Sequence, residues 1–277
     1  MSIKIVADSS ANLAELEGVS FSSVPLTITA AGQYYIDTPS LDVPGMMSDL
    51  AACKGPTGTA CPGPGQWMDA FEGAEDIIVI TLTSKLSGCF SSARSAADIY
   101  RQENPGSRIF LLDTLSTGPE MELIAEKAAE LVRSGLPYAE VCNELRRYHE
   151  RTHLGFILES LQNFARNGRV NPALAKAVQL LGIRIVGRAS AVGDLEPVHK
   201  CKGRPLAVHH LWAMMQEQGY AGGRVRMRHT GNEEAAEKLS AKIREKYPEA
   251  ETKISENRGL CSYYAEQGCL LVGYETE

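Results

Sequence analysis

Short apolar runs, each followed by a hydroxyl-rich segment and then by apolar positions at helical spacing, recur along the first half of the chain. In the clearest case the run begins at Ile77, residues 81–88 are rich in threonine and serine, and small apolar side chains recur at helical spacing over residues 93–100. A buried parallel strand has a continuous apolar sequence of this kind. The stretch therefore predicts a strand, a polar loop and a helix. The runs at residues 3–6 and 108–112 begin two similar units.

Three such units in sequence predict a parallel sheet whose loops gather on one rim. The second half instead predicts mixed strand order, with a hairpin formed by residues 183–188 and 191–198 and a half-buried strand at residues 224–229. We therefore expect an α/β protein of two domains. Residues 1–150 are expected to form a three-layer domain with a parallel sheet, and residues 151–277 a mixed-sheet α/β domain.

Two other stretches of the first half have weaker signals. Residues 19–28 predict another strand region, with Pro25 placing it at a sheet edge or a bend, and the next short strand is expected to pair with it as a hairpin. Residues 55–67 contain four glycines and three prolines, which is typical of a loop. This loop is either a long turn before a helix or a rigid support that holds the Thr59 hydroxyl toward a ligand.

The hydroxyl-rich segment at residues 81–88 lies where ligands bind in open α/β sheets, beyond the carboxyl end of a strand and at the start of a helix. The unpaired N–H groups of a helix N-terminus attract anions. Thr83, Ser84 and Ser87 therefore define a candidate anion site, and simple capping of the helix by these hydroxyls is the alternative interpretation.

Two patterns in the middle of the chain also carry candidate chemistry. Arg166 and Arg169 flank a turn and are either surface charges or a fork for a carboxylate or phosphate. His149 and His153 match the zinc-protease signature H-E-x-x-H, which requires both histidines on one helical face. Because residues 155–158 predict a strand, His153 is expected to lie outside the helix, and we do not expect a zinc site.

Composition and charge narrow the classes of function. The formal net charge of −6 argues against nucleic acid as the main partner. No apolar run approaches the roughly 18 residues of a membrane span, and no signal-like segment is present, so we expect a cytoplasmic protein. The seven cysteines include no C-x-x-C pair, and reduced thiols are expected. The sequence also lacks the G-x-S-x-G, P-loop and G-x-G-x-x-G motifs, which disfavours hydrolases and nucleotide-binding enzymes.

Seven motifs, taken together and in order, resemble those of the DegV family of bacterial fatty-acid-binding proteins. They are IKIVADSSANL at the start, TACPGPGQW at 59–67, ITLTSKLSGCFSSA at 80–93, LLDTLSTG at 111–118, FARNGRVNPA at 164–173, HKCKGRPLA at 199–207 and the Gly-containing terminal strand. The resemblance covers nearly the whole chain. It implies two α/β domains with a lipid tail buried between them and no cofactor. It also implies, from the best-understood members, a separate ATP-dependent kinase that phosphorylates the carboxylate presented to it.

The resemblance also implies which residues contact the ligand. Thr59 matches the threonine of the family's Thr-Ser-x-Pro-Ser loop, and Ser87 and Gly88 match its Ser-Gly-Thr loop. In the family the two hydroxyls bind the carboxylate. Arg166 and Arg169 match an Arg-Gly-Gly-Arg turn beside the ligand head.

The sequence departs from the family pattern at several of these loops. Ala60 and Gly63 replace hydroxyl residues in the first loop, and Cys89 replaces a threonine in the second. Tyr264 occupies the place of a histidine that contacts the ligand head in the family's His-Thr-Gly-Pro-Gly segment. A phenol still donates a hydrogen bond, but it stays neutral near pH 7.

The leading interpretation is a carrier that holds a long-chain fatty acid for a separate acyl kinase and catalyses no reaction itself. A sensor or carrier of another amphipathic ligand is the alternative, favoured by the change at Tyr264. A hydrolase with Ser87 or a cysteine as nucleophile has less support, because no histidine lies within any of the hydroxyl-rich loops.

Overall fold

The computed structural model describes residues 3–277, and its first half alternates short strands with helices. Strands β1–β7 are Ile3–Asp8, Ser20–Val24, Thr27–Ala30, Gln33–Ile36, Thr57–Ala60, Asp76–Thr81 and Arg108–Asp113. Helices α1–α5 are Val43–Ala52, Pro64–Phe71, Cys89–Glu103, Pro119–Arg133 and Tyr138–His149. Four strands form a parallel sheet in the order β2-β1-β6-β7, which confirms the prediction from the strand–loop–helix units.

Strand β6 is a central strand of this sheet. All of its residues, Asp76–Thr81, are buried between β1 and β7, which is why its sequence is apolar without alternation. Helix α3 follows and buries Ala93, Ala96 and Tyr100, as their spacing predicted. The loop between strand and helix contacts the second half of the molecule through Thr83.

A three-stranded antiparallel sheet, ordered β4-β3-β5, corrects two predictions. The strand region predicted at residues 19–28 is two strands, because the chain breaks at Pro25 and β2 and β3 join different sheets; β3 and β4 form the predicted hairpin. The loop predicted at residues 55–67 contains β5, in which Thr59 pairs with Ile28. The partner that makes β5 a strand is distant in the sequence, so local composition does not reveal it.

The second half builds one mixed sheet of six strands. Strands β8–β13 are Thr152–Leu158, Arg184–Ala189, Leu195–Cys201, Val225–His229, Thr252–Glu256 and Leu270–Glu275. Helices α6–α10 are Gln162–Arg166, Pro172–Leu181, Arg204–Glu217, Glu233–Lys246 and Gly259–Ala265. The strand order is β10-β9-β8-β13-β11-β12, and only β11 and β12 are parallel. The mixed sheet and the β9–β10 hairpin were both predicted.

Strand β11 is more buried than its alternating sequence predicted. One face, with Val225 and Met227, packs in the core that includes α8 and α9. The other face carries Arg226 and Arg228, which are also buried and pair with carboxylates of α4. The prediction of a half-buried strand is wrong because a helix from the first half covers the charged face.

Helix α4 lies between the two large sheets. Its Met121 and Ile124 are buried in the core of the first half, while the same helix contacts β8, β11 and β13 of the second. Gly273 of β13 allows this close contact, since a Cβ atom there would lie 2.4 Å from the Pro119 carbonyl carbon. We propose a domain boundary near residue 150, because each of the three sheets draws all its strands from one side of that point.

Candidate functional site

A cavity of about 300 Å³ lies between the two halves of the molecule. Its apolar wall consists of Leu26, Leu82, Leu86, Leu154, Phe156, Leu158, Phe164, Leu195, Leu260 and Leu271. The polar side chains that border it are those of Thr59, Ser87, Thr117, Arg169 and Tyr264. A mainly apolar wall with a few polar groups suits a ligand that has a large apolar part and a small polar head.

A hydrogen bond at the cavity joins the two halves. Thr59 Oγ1 on β5 and the Tyr264 hydroxyl on α10 lie 2.7 Å apart. Burial raises the pKa of Tyr264, so the phenol stays protonated and able to donate. The rings of Tyr264 and Phe164 pack with their centroids 5.0 Å apart, which holds the phenol in this direction.

The preceding residue, Tyr263, reinforces the same connection. Its hydroxyl donates to Thr57 Oγ1 at 2.9 Å and accepts from the Asn167 amide at 2.8 Å. Thr57 and Thr59 lie two positions apart on β5 and therefore face the same side of the strand. Two consecutive tyrosines of α10 thus bind two alternate threonines of β5.

Helix α10, which carries both tyrosines, begins at a carboxylate of the first half. The two Asp37 carboxylate oxygens accept hydrogen bonds from the backbone N–H groups of Gly259 at 3.0 Å and Leu260 at 3.1 Å. Asn12 Oδ1 accepts from the Arg258 N–H at 2.8 Å. A carboxylate is stabilised at a helix N-terminus by the unpaired N–H groups and the helix dipole. The first half therefore positions α10 and its two tyrosines.

Ser87 and Gly88 lie at the start of helix α3. The Ser87 hydroxyl accepts from the Cys89 N–H at 3.3 Å and also borders the cavity. Gly88 allows the loop after β5 to come close, since a Cβ atom there would lie 3.1 Å from Cys61 Sγ. Ser87 therefore lines the cavity and also accepts from the first N–H of α3, whose N-cap residue is Gly88.

The other hydroxyl-bearing residues of the same loop make structural contacts. The buried Thr83 hydroxyl donates to the Gly193 carbonyl at 2.9 Å and so ties the β9–β10 hairpin to the first half. The Ser84 N–H donates to the Asp113 carboxylate at 3.1 Å. Of the three predicted members of the anion site, only Ser87 borders the cavity.

The two arginines of the predicted fork separate in the structure. Arg169 borders the cavity, and its Nε donates to the Leu86 carbonyl at 3.3 Å. Arg166 is exposed at the end of α6, where its guanidinium donates to Asn163 Oδ1 at 3.3 Å. The structure therefore brings Arg169 to the cavity together with Thr59 and Ser87, and it does not bring Arg166 there.

The buried thiols at this place are poor nucleophiles. Burial raises the pKa of Cys261, which lines the cavity, to about 12, and it raises the pKa of Cys89 far above the ordinary thiol value. A nucleophilic cysteine requires a lowered pKa. Within residues 3–277, the Ser87 hydroxyl has Cys89 as its hydrogen-bond partner and no histidine. These features disfavour Ser87, Cys89 and Cys261 as the nucleophile of a hydrolase.

The two histidines of the H-E-x-x-H pattern occupy different elements, as expected from the sequence. His149 ends α5 with a ring nitrogen 2.8 Å from the Thr114 carbonyl oxygen, whereas His153 lies on β8. Among the residues described, no three or more His, Cys, Asp or Glu side chains are grouped so that they could hold a metal ion. In the same part of the chain, every helix is too short or too polar to cross a membrane.

Sequence reasoning missed Asp37 and Asn12. Neither lies in a recognisable motif with α10, which follows more than 200 residues later. The available signal was at the helix itself: Arg258, at the N-cap of α10, has a side chain that cannot accept a hydrogen bond. A helix that begins with no cap of its own requires one from another part of the chain.

The fold and the cavity together define the class of protein: two α/β domains that enclose an apolar, hydroxyl-bordered cavity for a small ligand. The chain belongs to the DegV family, whose model, described as that of an uncharacterised protein family, matches residues 2–277.

Close relatives share this architecture over their full length. A DegV domain-containing protein of Streptococcus pneumoniae is 41% identical over 281 residues, with 100% of both chains covered. The structure of the Fatty Acid Kinase (Fak) B3 protein of the same species, loaded with linoleic acid, has a TM-score of 0.97 and 40% identity, with 100% of both chains covered. A DegV family protein from Eubacterium eligens, loaded with heptadecanoic acid, has a TM-score of 0.96 and 36% identity at the same coverage. These likenesses confirm the predicted family and fold.

Proposed function

We propose that this protein binds a long-chain fatty acid, with the tail in the cavity and the carboxylate at Thr59, Ser87, Arg169 and Tyr264, beside the backbone of Gly88. The observation that carries the proposal is the cavity, whose apolar wall is combined with a few hydroxyls and one guanidinium. The two similar proteins from S. pneumoniae and E. eligens were solved with fatty acids. Arg166 is left out of the proposed site because it lies outside the cavity.

Burial of the tail is the main source of affinity. At ~0.8 kcal/mol for each buried methylene, about a dozen methylenes contribute roughly 10 kcal/mol before the costs of ordering the ligand. A hydrogen bond at the head contributes only about 0.5–1.5 kcal/mol, and somewhat more when one partner is charged. The head contacts therefore mainly fix the direction in which the fatty acid lies.

The paired hydroxyls of Thr59 and Tyr264 suit a carboxylate. Each hydroxyl hydrogen rotates about its C–O bond, so both groups can turn from one another toward a carboxylate oxygen. Arg169 supplies the positive charge beside them. A head made of neutral donors and one guanidinium binds an acid more tightly than an uncharged ester or alcohol.

The bound fatty acid is presented to a separate kinase, which forms the acyl phosphate. Support for this step comes from 40% identity, over the whole chain, to a protein named as a component of a fatty acid kinase. The chain itself acts as the binding subunit and performs no phosphoryl transfer. Its seven cysteines are all unpaired, which favours a reducing compartment such as the cytoplasm.

Tyr264 favours a second candidate function, the sensing of another amphipathic ligand. The DegV resemblance places a histidine at this position, and a phenol cannot carry the positive charge that a histidine can. With one fewer group able to carry a positive charge, the site discriminates less strongly against a ligand with an uncharged polar head than a histidine-containing site would.

The comparison of a fatty acid with the alcohol of the same tail separates the two candidates. We expect delipidated wild-type protein to bind the acid more tightly than the alcohol. The double variant Thr59→Ala with Ser87→Ala should lose about tenfold or more in affinity for the acid and should keep its affinity for the alcohol. The matched control is Ser91→Ala with Ser95→Ala, which removes two exposed hydroxyls of α3 and should change neither affinity. Equal binding of acid and alcohol by the wild type would support the sensor instead.

A further inference from the structure

Three glutamates of α4 each form an ion pair with one of three arginines on and next to β11. We call this set the Glu–Arg ladder, with an inner pair Glu122–Arg228, a middle pair Glu126–Arg226 and an outer pair Glu130–Arg224. Lys253 also contacts Glu122 and Glu126, and Glu251 and Glu275 contact Arg226 and Arg224, respectively. Four residues of a helix rise about 6.0 Å, and two residues of a strand rise about 6.6 Å. The two repeats match, so each carboxylate meets its own guanidinium.

The pairs are close, and the burial of their glutamates increases toward the inner end. Arg228 Nε donates to Glu122 Oε2 at 2.8 Å, and the Glu122 side chain is 1% exposed. Arg226 Nε donates to Glu126 Oε2 at 2.8 Å, and the Arg226 side chain is 6% exposed. In the outer pair the Glu130 side chain is 39% exposed. Desolvation offsets most of the attraction within buried pairs, so their contribution is to hold one arrangement rather than to add much stability.

The inner pair shares a row of the six-stranded sheet with the cavity wall. In the register of β11, β13 and β8, Arg228 lies opposite Leu271, and Leu271 lies opposite Phe156. Residues directly opposite one another in antiparallel strands have their side chains on the same face. Because Leu271 and Phe156 line the cavity, the face that carries the ladder continues as the cavity wall.

The middle pair has the same relation to the cavity. Arg226 lies opposite Gly273, which lies opposite the cavity-lining Leu154. Gly273 is also where the backbone of α4 comes closest to the sheet. The outer pair differs, because Arg224 contacts Glu275 and the next residue in that row is Thr152, outside the cavity wall.

We propose that the inner and middle pairs are positioning residues for the ligand: they fix the register between α4 and the six-stranded sheet and thereby select the shape of tail that the cavity accepts. A slide of α4 by one turn would leave one glutamate and one arginine of the ladder, at opposite ends, without their ladder partners, so one register is favoured. The kind of ligand rests on the proposed function, whereas the register is a property of the protein alone.

The test compares two matched double variants. Arg226→Met with Glu126→Met removes the middle pair, and Arg224→Met with Glu130→Met removes the outer pair as the control. Both replace a guanidinium and a carboxylate together by apolar side chains, which avoids leaving either ladder partner alone. Each variant also deprives one further carboxylate of its arginine, Glu251 in the middle-pair variant and Glu275 in the control. Urea unfolding checks that both variants are folded.

The first measurement is the ratio of affinities for a saturated and a cis-unsaturated fatty acid of equal length. We expect removal of the middle pair to change this ratio by about fivefold or more, and removal of the outer pair to change it by less than about twofold. An equal change in both variants, or none in either, would overturn the inference.

The second measurement needs no ligand. Spin labels on noncanonical residues at the exposed positions Lys54 and Leu181, one in each half, report the distance between the halves. We expect the distance distribution to shift or broaden when the middle pair is removed and to match the wild type when the outer pair is removed. An unchanged distribution in the middle-pair variant overturns the inference, whether or not the wild type binds a fatty acid. A wild type that binds no fatty acid refutes only the proposed function. A shifted distribution with an unchanged affinity ratio would overturn the link to tail shape.

Discussion

The single residues at the cavity combine a ligand contact with a structural contact. Ser87 accepts from the first N–H of α3 and borders the cavity, and Thr59 binds Tyr264 across the two halves. The two adjacent tyrosines of α10 differ in this respect, because Tyr264 both binds Thr59 and borders the cavity, whereas Tyr263 makes structural contacts only, with Thr57 and Asn167. Conservative changes at the two tyrosines should therefore have different effects.

Tyr264→Phe removes one hydroxyl and keeps the ring that packs on Phe164. We expect the affinity for a fluorescent fatty acid to fall about three- to tenfold, since one hydrogen bond to the head is lost, and the free energy of unfolding to fall by about 1 kcal/mol, since Thr59 loses its partner. Tyr263→Phe should lower the free energy of unfolding by about 1–2 kcal/mol, because its hydroxyl has two partners, and should leave the affinity nearly unchanged. The same affinity loss in both variants would contradict the assignment of Tyr264 to the head.

Asp8, buried beneath the loop that follows β6, should produce a measurable pH dependence. Its carboxylate accepts from the Leu82 N–H at 2.7 Å, yet burial is the larger effect and raises the pKa of Asp8 from 3.8 to about 6. The native state therefore binds a proton on the Asp8 carboxyl more tightly than the unfolded chain does. This proton binding stabilises the native state fully below about pH 4, and the stabilisation is lost as the pH rises through about 6. Between these values we expect the free energy of unfolding of the wild type to fall by up to about 3 kcal/mol relative to that of Asp8→Asn. Urea titrations at four pH values check this, and parallel pH profiles for the two proteins would contradict it.

The sequence pointed to five residues that the structure brings to one cavity. These are Thr59, Ser87, Gly88, Arg169 and Tyr264. They were found because hydroxyl and glycine motifs are local and the family resemblance aligned them. Arg166 was grouped with Arg169 by their positions flanking one turn and by the family's Arg-Gly-Gly-Arg pattern, and the structure directs the two side chains to different places. The direction of a long side chain depends on neighbours that a short motif does not contain.

At the scale of elements, α10 of the second half is attached to the first half both at its N-terminus and through its tyrosines. Its N-terminus is capped by Asp37 and its tyrosines bind the threonines of β5. A helix of seven residues has little stability of its own and depends on such contacts.

Asp37→Ala tests this dependence. We expect it to lower the free energy of unfolding by about 2 kcal/mol, because two buried N–H groups lose their acceptor. Asp37→Asn should lower it by about half as much, since an amide keeps one of the two acceptor oxygens. Urea unfolding measures both, and a wild-type stability for Asp37→Ala would show that α10 is held in another way.

Elements formed by interactions that are local in the sequence were predicted correctly, and elements that depend on distant partners were not. Strands such as β6 and hairpins such as β9–β10 were predicted because an apolar run or a short turn contains the needed signal. Strand β5 was predicted as a loop because its glycines and prolines dominate its composition, while its hydrogen bonds come from β3. Strand β11 was predicted as half-buried because nothing near Arg226 indicates that α4 covers it.

At the scale of the whole molecule, the two halves meet in two different ways. Charged pairs join α4 to the six-stranded sheet on one side, and neutral hydrogen bonds such as Thr59–Tyr264 and Thr83–Gly193 join the halves at the cavity. The cavity lies between these contacts and takes its wall from both halves. Its volume and shape therefore depend on how the halves are positioned, which is why the sequence indicated a lipid-sized site but not the preferred tail.

The most direct test of the proposed function is native mass spectrometry of the protein as purified from a bacterial host, followed by denaturing extraction of whatever is bound. We expect a mass excess that extracts as a long-chain fatty acid, at lower occupancy in Thr59→Ala with Ser87→Ala than in the control Ser91→Ala with Ser95→Ala. A protein that stays empty, even after incubation with fatty acids, would contradict fatty-acid binding and assign the cavity to another ligand.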